Sequence, residues 1–175
     1  MTKKIQEEIC IWLVKNGAEA VCENYDLYGG WEMDVASLSK SNLLTEYEVK
    51  ISRQDFLNDK RKKSKKFLCY GGGTNVAGRV APNFFYYICP HGLIKEKEIP
   101  EWAGLIYYEN GKLKWIKSPK KLHKVKADKD RIFSKMLRLT IQRKYLGCSM
   151  MTYLNKKIRE KNAERLKCDL NGSTL

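Results

Sequence analysis

The sequence predicts an α/β fold of the mixed α+β kind, in which one β-sheet carries helices on its faces. Apolar residues recur at helical spacing near both ends of the 175-residue chain. Short alternations of apolar and polar residues, bounded by Gly, Asn and Ser, lie between those ends and are typical of strands. The hydrophobic share of 43% is enough to build a core for a domain of this length.

The first part of the chain predicts one helix, three strands and a second helix, in that order. Ile5, Ile9, Trp12 and Leu13 recur at helical spacing, and Gly17 follows where that helix would end. Turn-rich segments separate the three strands, so we expect an antiparallel meander. The first helix is predicted over 4–16 and the second over 53–70, with Asp55 in the first turn of the second helix. The three strands between them are predicted over 19–27, 31–38 and 43–51.

The second part of the chain predicts a flexible glycine-rich loop over 71–78 and a buried strand over 83–89. A hairpin over 105–108 and 113–116 follows, and helical spacing returns from Lys129. We therefore expect a core over 1–123 and a basic helical extension over 124–175.

The charge of the chain indicates a polyanionic partner. Lys and Arg number 34 against 20 Asp and Glu, which gives a formal net charge of +14. We expect nucleic acid rather than a membrane, because the sequence has no signal-peptide pattern and no apolar run of about 18 residues. The same absences predict a cytoplasmic protein. The six cysteines form no CxxC pair, which predicts reduced, buried thiols rather than a zinc ribbon.

The third predicted strand places acids and a lysine on one face. Side chains alternate along a strand, so Glu46, Glu48 and Lys50 share one face. The other face carries the apolar set expected to enter the core, Tyr47, Val49 and Ile51. If the preceding turn is centred near residue 41, opposed residues have numbers that total 82, and Asp34 lies across from Glu48.

Two facing carboxylates repel each other unless a cation lies between them, and hard oxygen ligands suit Mg²⁺ or Mn²⁺. Such an ion can activate water and stabilise charge in a displacement at phosphorus, while Lys50 can position the attacking water. The sequence therefore predicts that the strand carries the chemistry. The lysine-rich helix after it is predicted to hold a phosphate backbone.

Simpler interpretations stay open at this point. A Glu-Val-Lys triplet is common on solvated strand faces, where it forms only a cross-strand ion pair. A run of lysines is also typical of an exposed helix face. The excess of charge and the opposed Asp34 favour the functional interpretation.

The order helix, strand, strand with Asp34, strand with Glu48-Val49-Lys50, helix, strand resembles the PD-(D/E)xK nuclease superfamily. Within it, the stretch EVKISRQDF is similar to the MmcB-like DNA repair proteins, which follow the motif strand with a Ser-Arg-x-Asp-Phe segment. The segments Gly92-Leu93-Ile94 and Pro100-Glu-Trp-Ala-Gly-Leu105 continue this similarity, which spans about residues 5–123.

The resemblance implies a restriction-endonuclease-like core and a metal-dependent nuclease. It implies that Asp34 and Glu48 bind Mg²⁺ or Mn²⁺ with the Val49 carbonyl, that Lys50 is the catalytic lysine, and that Glu8 matches the acid on the first helix. Asp34 and Glu48 are thus predicted as catalytic residues too. Lys66 stands where many members have Gln, one turn before Tyr70. The full predicted DNA-binding set is Ser52, Arg53, Lys60, Arg61, Lys62, Lys63, Lys66 and Tyr70.

The sequence leaves several alternatives. In the extension, basic residues outnumber acids and favour a DNA arm, but a helix that forms a homodimer or a solvated helix fits as well. The predicted function is a metal-dependent deoxyribonuclease for DNA repair, recombination or phage and host DNA processing. Its competitors are a non-catalytic DNA-binding repair factor on the same fold and a basic structural adaptor. Linear, branched, single-stranded and modified DNA, and also RNA, remain candidates for the substrate.

Overall fold

A computed structural model describes residues 1–26, 32–61, 75–76 and 79–146. The chain divides into two compact units, Met1–Phe133 and Ser134–Leu175, and the first of these holds the sheet. The helices and strands, in chain order, are α1 (Thr2–Lys15), β1 (Ala20–Asp26), β2 (Glu32–Leu38), β3 (Leu44–Val49), α2 (Arg53–Arg61), β4 (Asn75–Val76), β5 (Arg79–Val80), β6 (Phe84–Pro90), β7 (Gly104–Glu109), β8 (Lys112–Lys117) and α3 (Lys129–Leu146).

Six strands form one mixed sheet in the order β1-β2-β3-β6-β7-β8. Strands β1, β2 and β3 are antiparallel neighbours, as the meander prediction expected. Strand β6 then lies parallel to β3, β7 lies parallel to β6, and β8 returns antiparallel to β7. The predicted α/β class, with a mixed sheet and helices, is confirmed at this level. Within the described part of the chain, the short strands β4 and β5 pair with each other and form a second sheet.

The register between β2 and β3 is the predicted one. Val35 pairs with Tyr47 and Ala36 pairs with Glu46, so the residue numbers of each pair total 82. The predicted β7–β8 hairpin is also confirmed, with Glu109 opposite Lys112. Its turn needs positive φ at Asn110 (50°) and Gly111 (76°), which is the geometry that an Asn-Gly turn supplies.

Each face of the sheet has its own apolar core. On one face Ile5, Ile9 and Leu13 of α1 pack with Tyr47, Val49 and their sheet neighbours. On the other face Phe56 of α2 enters a cluster with Phe85 and Tyr87 of β6. Helix α1 buries Ile5, Ile9 and Leu13 of the predicted apolar set, because burial of such a stripe is the main source of a helix's stability. Trp12 of that set is 36% exposed and lies against Trp115.

The structure differs from the sequence prediction where β3 ends. The prediction carried this strand to Ile51 and placed Ile51 in the core, but β3 ends at Val49 and Ile51 is 43% exposed. The chain turns at once into α2, whose first turn is capped by Ser52, so no strand backbone remains to carry Ile51 inward. The segment predicted as a loop over 71–78 also contains β4, which pairs with β5.

A buried polar cluster ties the chain before α3 to the sheet. Asn83 accepts the Leu44 amide proton through Oδ1 at 2.8 Å, and its Nδ2 lies 2.8 Å from the Val125 carbonyl. His123 Nε2 is 2.6 Å from the Ala81 carbonyl, and since a carbonyl only accepts, Nε2 carries the proton. These contacts hold the start of β6 beside the start of β3.

The described cysteines are the free thiols that the sequence predicted. Cys22 and Cys89 are buried and Cys10 is half-buried, while Cys69, Cys148 and Cys168 lie outside the described residues. Among the described residues, no helix combines the length and the apolar character needed to cross a bilayer.

We expect Cys10 and Cys89 of the native protein to react slowly with iodoacetamide. Burial, with help from Glu23, raises the pKa of Cys10 to about 12, and burial raises the pKa of Cys89 to about 11. The reactive thiolate is therefore scarce at pH 8, and alkylation should be at least ~100-fold slower than in urea. Peptide mass spectrometry over time measures both rates, and equal rates in the two states would contradict this expectation.

Candidate active site

The strands β2 and β3 stop pairing where the predicted acids lie. The last backbone pair of their ladder is Val35 with Tyr47. Successive backbone amides of a strand point to opposite neighbours, and the Lys50 amide donates to Ile88 of β6 at 2.9 Å. The Val49 amide therefore points toward β2, where Asp34 Oδ2 accepts it at 2.7 Å. The Asp34 carboxylate thus takes the place of the backbone carbonyl that a continued ladder would have supplied as acceptor. Val49, whose amide proton it accepts, directly follows Glu48.

The backbone of Asp34 is held from α1. Gln6 is only 7% exposed, and its Nε2 donates to Asn24 Oδ1 at 3.1 Å and to the Asp34 carbonyl at 3.3 Å. Asn24 has a φ of 43°, and the regular pairing of β1 with β2 is interrupted there. Gln6 was not predicted as a site residue. The available signal was a polar residue between Ile5 and Ile9 on the buried face of the helix.

Lys50 is a buried ammonium that contacts three acids. It is 4% exposed, and its Nζ lies 2.8 Å from Glu48 Oε1, 2.8 Å from Asp59 Oδ2 and 3.5 Å from Asp55 Oδ1. Burial lowers the pKa of Lys50, but the charges and hydrogen bonds of Glu48 and Asp59 together outweigh burial and raise it well above its ordinary value. Lys50 therefore stays protonated at physiological pH. Glu46, on the same strand face, is fully buried.

Two of these acids come from α2 and were not predicted as site residues. Asp55 was predicted only as an acid in the first turn of the helix, where the structure places it. Asp59 follows one turn later, so both side chains lie on the same side of α2. The signal that could have found them was an acidic i, i+4 pair at the start of an otherwise basic segment, directly after the lysine of the strand.

The remaining residues of the Ser-Arg-x-Asp-Phe segment build the start of α2. Ser52 Oγ accepts the Asp55 amide proton at 3.1 Å. Arg53 makes two hydrogen bonds of 2.7 Å to Glu98 and one of 3.1 Å to the Leu93 carbonyl. The DNA-binding roles of Ser52 and Arg53 stay predictions, since the contacts of these side chains in the structure lie within the chain.

The other predicted site residues divide into two groups. Glu8 is half-buried on α1 and makes no hydrogen bond or ion pair with any residue that the structure describes. Lys60 and Arg61 form the last described positions of α2. The predicted DNA-binding residues Lys62, Lys63, Lys66 and Tyr70 lie outside the described residues.

The donor atoms at the ladder end fit a small hard cation. Asp34 and Glu48 offer carboxylate oxygens, which Mg²⁺ and Mn²⁺ prefer. Within the ranges that the structure describes, no three His, Cys, Asp or Glu side chains are arranged to hold a metal ion. An ion would therefore depend on two carboxylates, a backbone carbonyl and water, and Mg²⁺ accepts such a set because it keeps several of its waters.

The fold and the site together define an α/β protein with an acid–lysine cluster at the end of two sheet strands. No protein-family model matches the chain, and no curated protein matches it. Among solved structures, the chain is similar to the SPO1766 protein of unknown function from Silicibacter pomeroyi, with a TM-score of 0.56 and 16% identity. The match covers 75% of this chain and 80% of that one. At this identity the similarity supports a shared fold.

Proposed function

We propose that this protein is a Mg²⁺- or Mn²⁺-dependent deoxyribonuclease of the PD-(D/E)xK type, with a restriction-endonuclease-like core. One observation carries the proposal: Asp34 accepts the amide proton of Val49, the residue that lies between Glu48 and its ion-pair partner Lys50. Asp34 Oδ2 lies 2.7 Å from the amide of Val49, while Lys50 Nζ lies 2.8 Å from Glu48 Oε1. These residues follow one another on β3 or oppose it, so the arrangement depends on backbone register and not on flexible loops.

In this proposal Asp34 and Glu48 hold the metal ion, together with the carbonyl of Val49. When bound, such an ion polarises a phosphate oxygen and lowers the pKa of a water molecule. In this proposal Lys50 does not act as the general base, since Glu48 and Asp59 each hold its ammonium at 2.8 Å. Its ammonium instead donates hydrogen bonds and stabilises negative charge as it develops on the phosphate oxygens.

The charge of the chain supports DNA as the substrate. The formal net charge is +14, and four of the nine residues directly after Arg61 are lysines. Such a basic segment binds phosphates by Coulomb attraction and by release of counterions, so binding should weaken steeply with added salt. A role in DNA repair, recombination or phage and host DNA processing agrees with this chemistry.

A second candidate function is a DNA-binding repair factor that does not cut. The observation that favours it is that Lys50 is already paired with acids: Glu48 and Asp59 both lie 2.8 Å from its Nζ. The ammonium already neutralises part of the negative charge that would attract a metal ion. Both candidates bind DNA, so only cleavage separates them.

The test is a cleavage assay on single-stranded, duplex and branched DNA with Mg²⁺ or Mn²⁺, using EDTA as a metal-free control. Asp34→Asn keeps an oxygen that can accept the Val49 amide proton but removes the charge, so we expect cleavage to fall by at least about 100-fold. Asp130→Asn on the exposed part of α3 is the matched control and should cut like the wild type. Binding without cutting of every substrate would establish the second candidate instead.

A further inference from the structure

We propose that Asp59 is the positioning residue of Lys50, and that it holds the lysine ammonium in place while Glu48 is committed to the metal ion. This inference rests on the nuclease proposal above. It makes Asp59 neither a metal ligand nor a group that touches the substrate. Its role is to keep one long, flexible side chain aimed at the reacting phosphate.

The contacts of Lys50 come from two separate elements. Glu48 reaches Nζ from the same strand, and Asp59 reaches it at the same distance of 2.8 Å from α2. Asp55 is the weaker partner on that helix, since its oxygen is 3.5 Å away and its side chain is 47% exposed against 14% for Asp59. An ammonium has three protons, so two short hydrogen bonds fix its direction and leave one proton for a substrate oxygen.

Glu48 cannot do this work alone in the loaded site. A carboxylate that ligates a divalent ion gives up much of its negative charge to that ion, so its hold on Lys50 weakens. The ion also repels the ammonium directly. Asp59 does not share this conflict in the proposal, because α2 carries it, whereas the proposed metal ligands Asp34 and Glu48 lie on β2 and β3.

The helix that carries Asp59 is fixed at three points. Ser52 caps its first turn, Phe56 is fully buried in the sheet core, and Arg53 is joined to Glu98 by two hydrogen bonds. Phe56 and Asp59 are almost one turn apart, so anchoring Phe56 also fixes the direction in which Asp59 points. A carboxylate on such a rigid helix can restrain a lysine that would otherwise sample many rotamers.

The first measurement compares Asp59→Asn with Asp130→Asn, which removes the same charge from an exposed position on α3. For Asp59→Asn we expect kcat to fall about 30-fold, with KM for DNA and the Mn²⁺ dissociation constant each within about threefold of wild type. Asp59→Glu, which keeps the charge, should recover part of the kcat. Asp130→Asn should stay within about threefold in kcat. If Asp59 only stabilised the fold, Asp59→Asn would instead lower the amount of folded enzyme in every assay.

The second measurement does not depend on cleavage. In ¹H–¹⁵N spectra of the lysine ammonium groups, assigned with Lys50→Arg, the slowly exchanging Lys50 signal should persist in wild-type protein after Mg²⁺ is added. In Asp59→Asn it should broaden or vanish on addition of Mg²⁺, and in Asp130→Asn it should persist.

Three outcomes would overturn the positioning role. In the first, Asp59→Asn loses most of its Mn²⁺ affinity, which would make Asp59 a metal ligand. In the second, the Lys50 signal persists in Asp59→Asn after Mg²⁺ is added. In the third, the wild-type protein binds no Mg²⁺. A wild type that binds Mg²⁺ but cuts no DNA defeats only the nuclease proposal, because the spectra still decide whether Asp59 holds Lys50.

Discussion

Replacing Lys50 with methionine is expected to lower the free energy of unfolding by about 3–5 kcal/mol at pH 8, because the change leaves buried carboxylates without the cation that neutralises them. Lys50 is 4% exposed, and its main partners Glu48 and Asp59 have side chains only 12% and 14% exposed. Methionine fills a similar volume but offers no proton, so the carboxylates keep their desolvation cost and lose its compensation. Urea unfolding followed by circular dichroism measures the loss.

The pH dependence of this loss gives a further check. Acid protonates carboxylates that have lost their cation. Lys50→Met should therefore lower the free energy of unfolding by less at pH 5 than at pH 8. Wild-type Lys50 has a raised pKa, so its own contribution is fully present below the ordinary lysine value and is lost only as the pH rises through the higher value. Lys120→Met is the control, since Lys120 pairs with Glu101 on the open surface and the change should leave stability unaltered. An equally small effect at Lys50 would mean that its ion pairs contribute little.

Gly104→Ala is expected to cost about 3 kcal/mol, which is the upper end of what overpacking usually costs. Gly104 lies opposite Tyr86 in the parallel β6–β7 ladder. An added Cβ would lie 2.4 Å from Tyr86 Cδ1 and 3.0 Å from the Lys117 carbonyl oxygen. The Tyr86 ring cannot easily move away, because it stacks on Tyr47 with centroids 5.4 Å apart and an interplanar angle of 7°. Thermal and urea unfolding both measure the effect.

Two variants separate crowding from backbone strain at this glycine. Gly92 has a φ of 74° and open space around a built Cβ, so Gly92→Ala should cost only about 1 kcal/mol of conformational strain. In a Tyr86→Ala background the clash at Gly104 is removed, and Gly104→Ala should then cost less than about 1 kcal/mol. If the cost stays the same in that background, contact with the Tyr86 ring is not its cause.

Much of the candidate site was predictable because it depends on short-range periodicity. Alternation along β3 places Glu46, Glu48 and Lys50 on one face, and the β2–β3 turn sets which residue of β2 opposes each of them. Both follow from residues close together in the chain, so composition and spacing were sufficient. The same holds for α1, whose apolar stripe predicted its buried face.

The partners of these residues were not predictable, because they depend on how separate elements pack. Asp59 meets Lys50 only through the rotation of α2, which its packing on the sheet decides. Arg53 finds Glu98 at a separation of 45 residues. Basic composition alone assigned Arg53 to DNA, since composition carries no information about an acid that folding brings beside it.

The sequence by itself determined the class of fold, the meander and its register, and the shared face of Glu48 and Lys50, because each follows from local spacing and turn geometry. Only the tertiary structure decided that β6 enters beside β3, that Asp34 takes the amide of Val49, and that α2 supplies Asp59 to Lys50. Asp34 and Val49 are 15 residues apart in the chain, Lys50 and Asp59 are nine apart, and the paired residues of β3 and β6 are farther apart still. The geometry of these contacts comes from burial of the two apolar faces of the sheet.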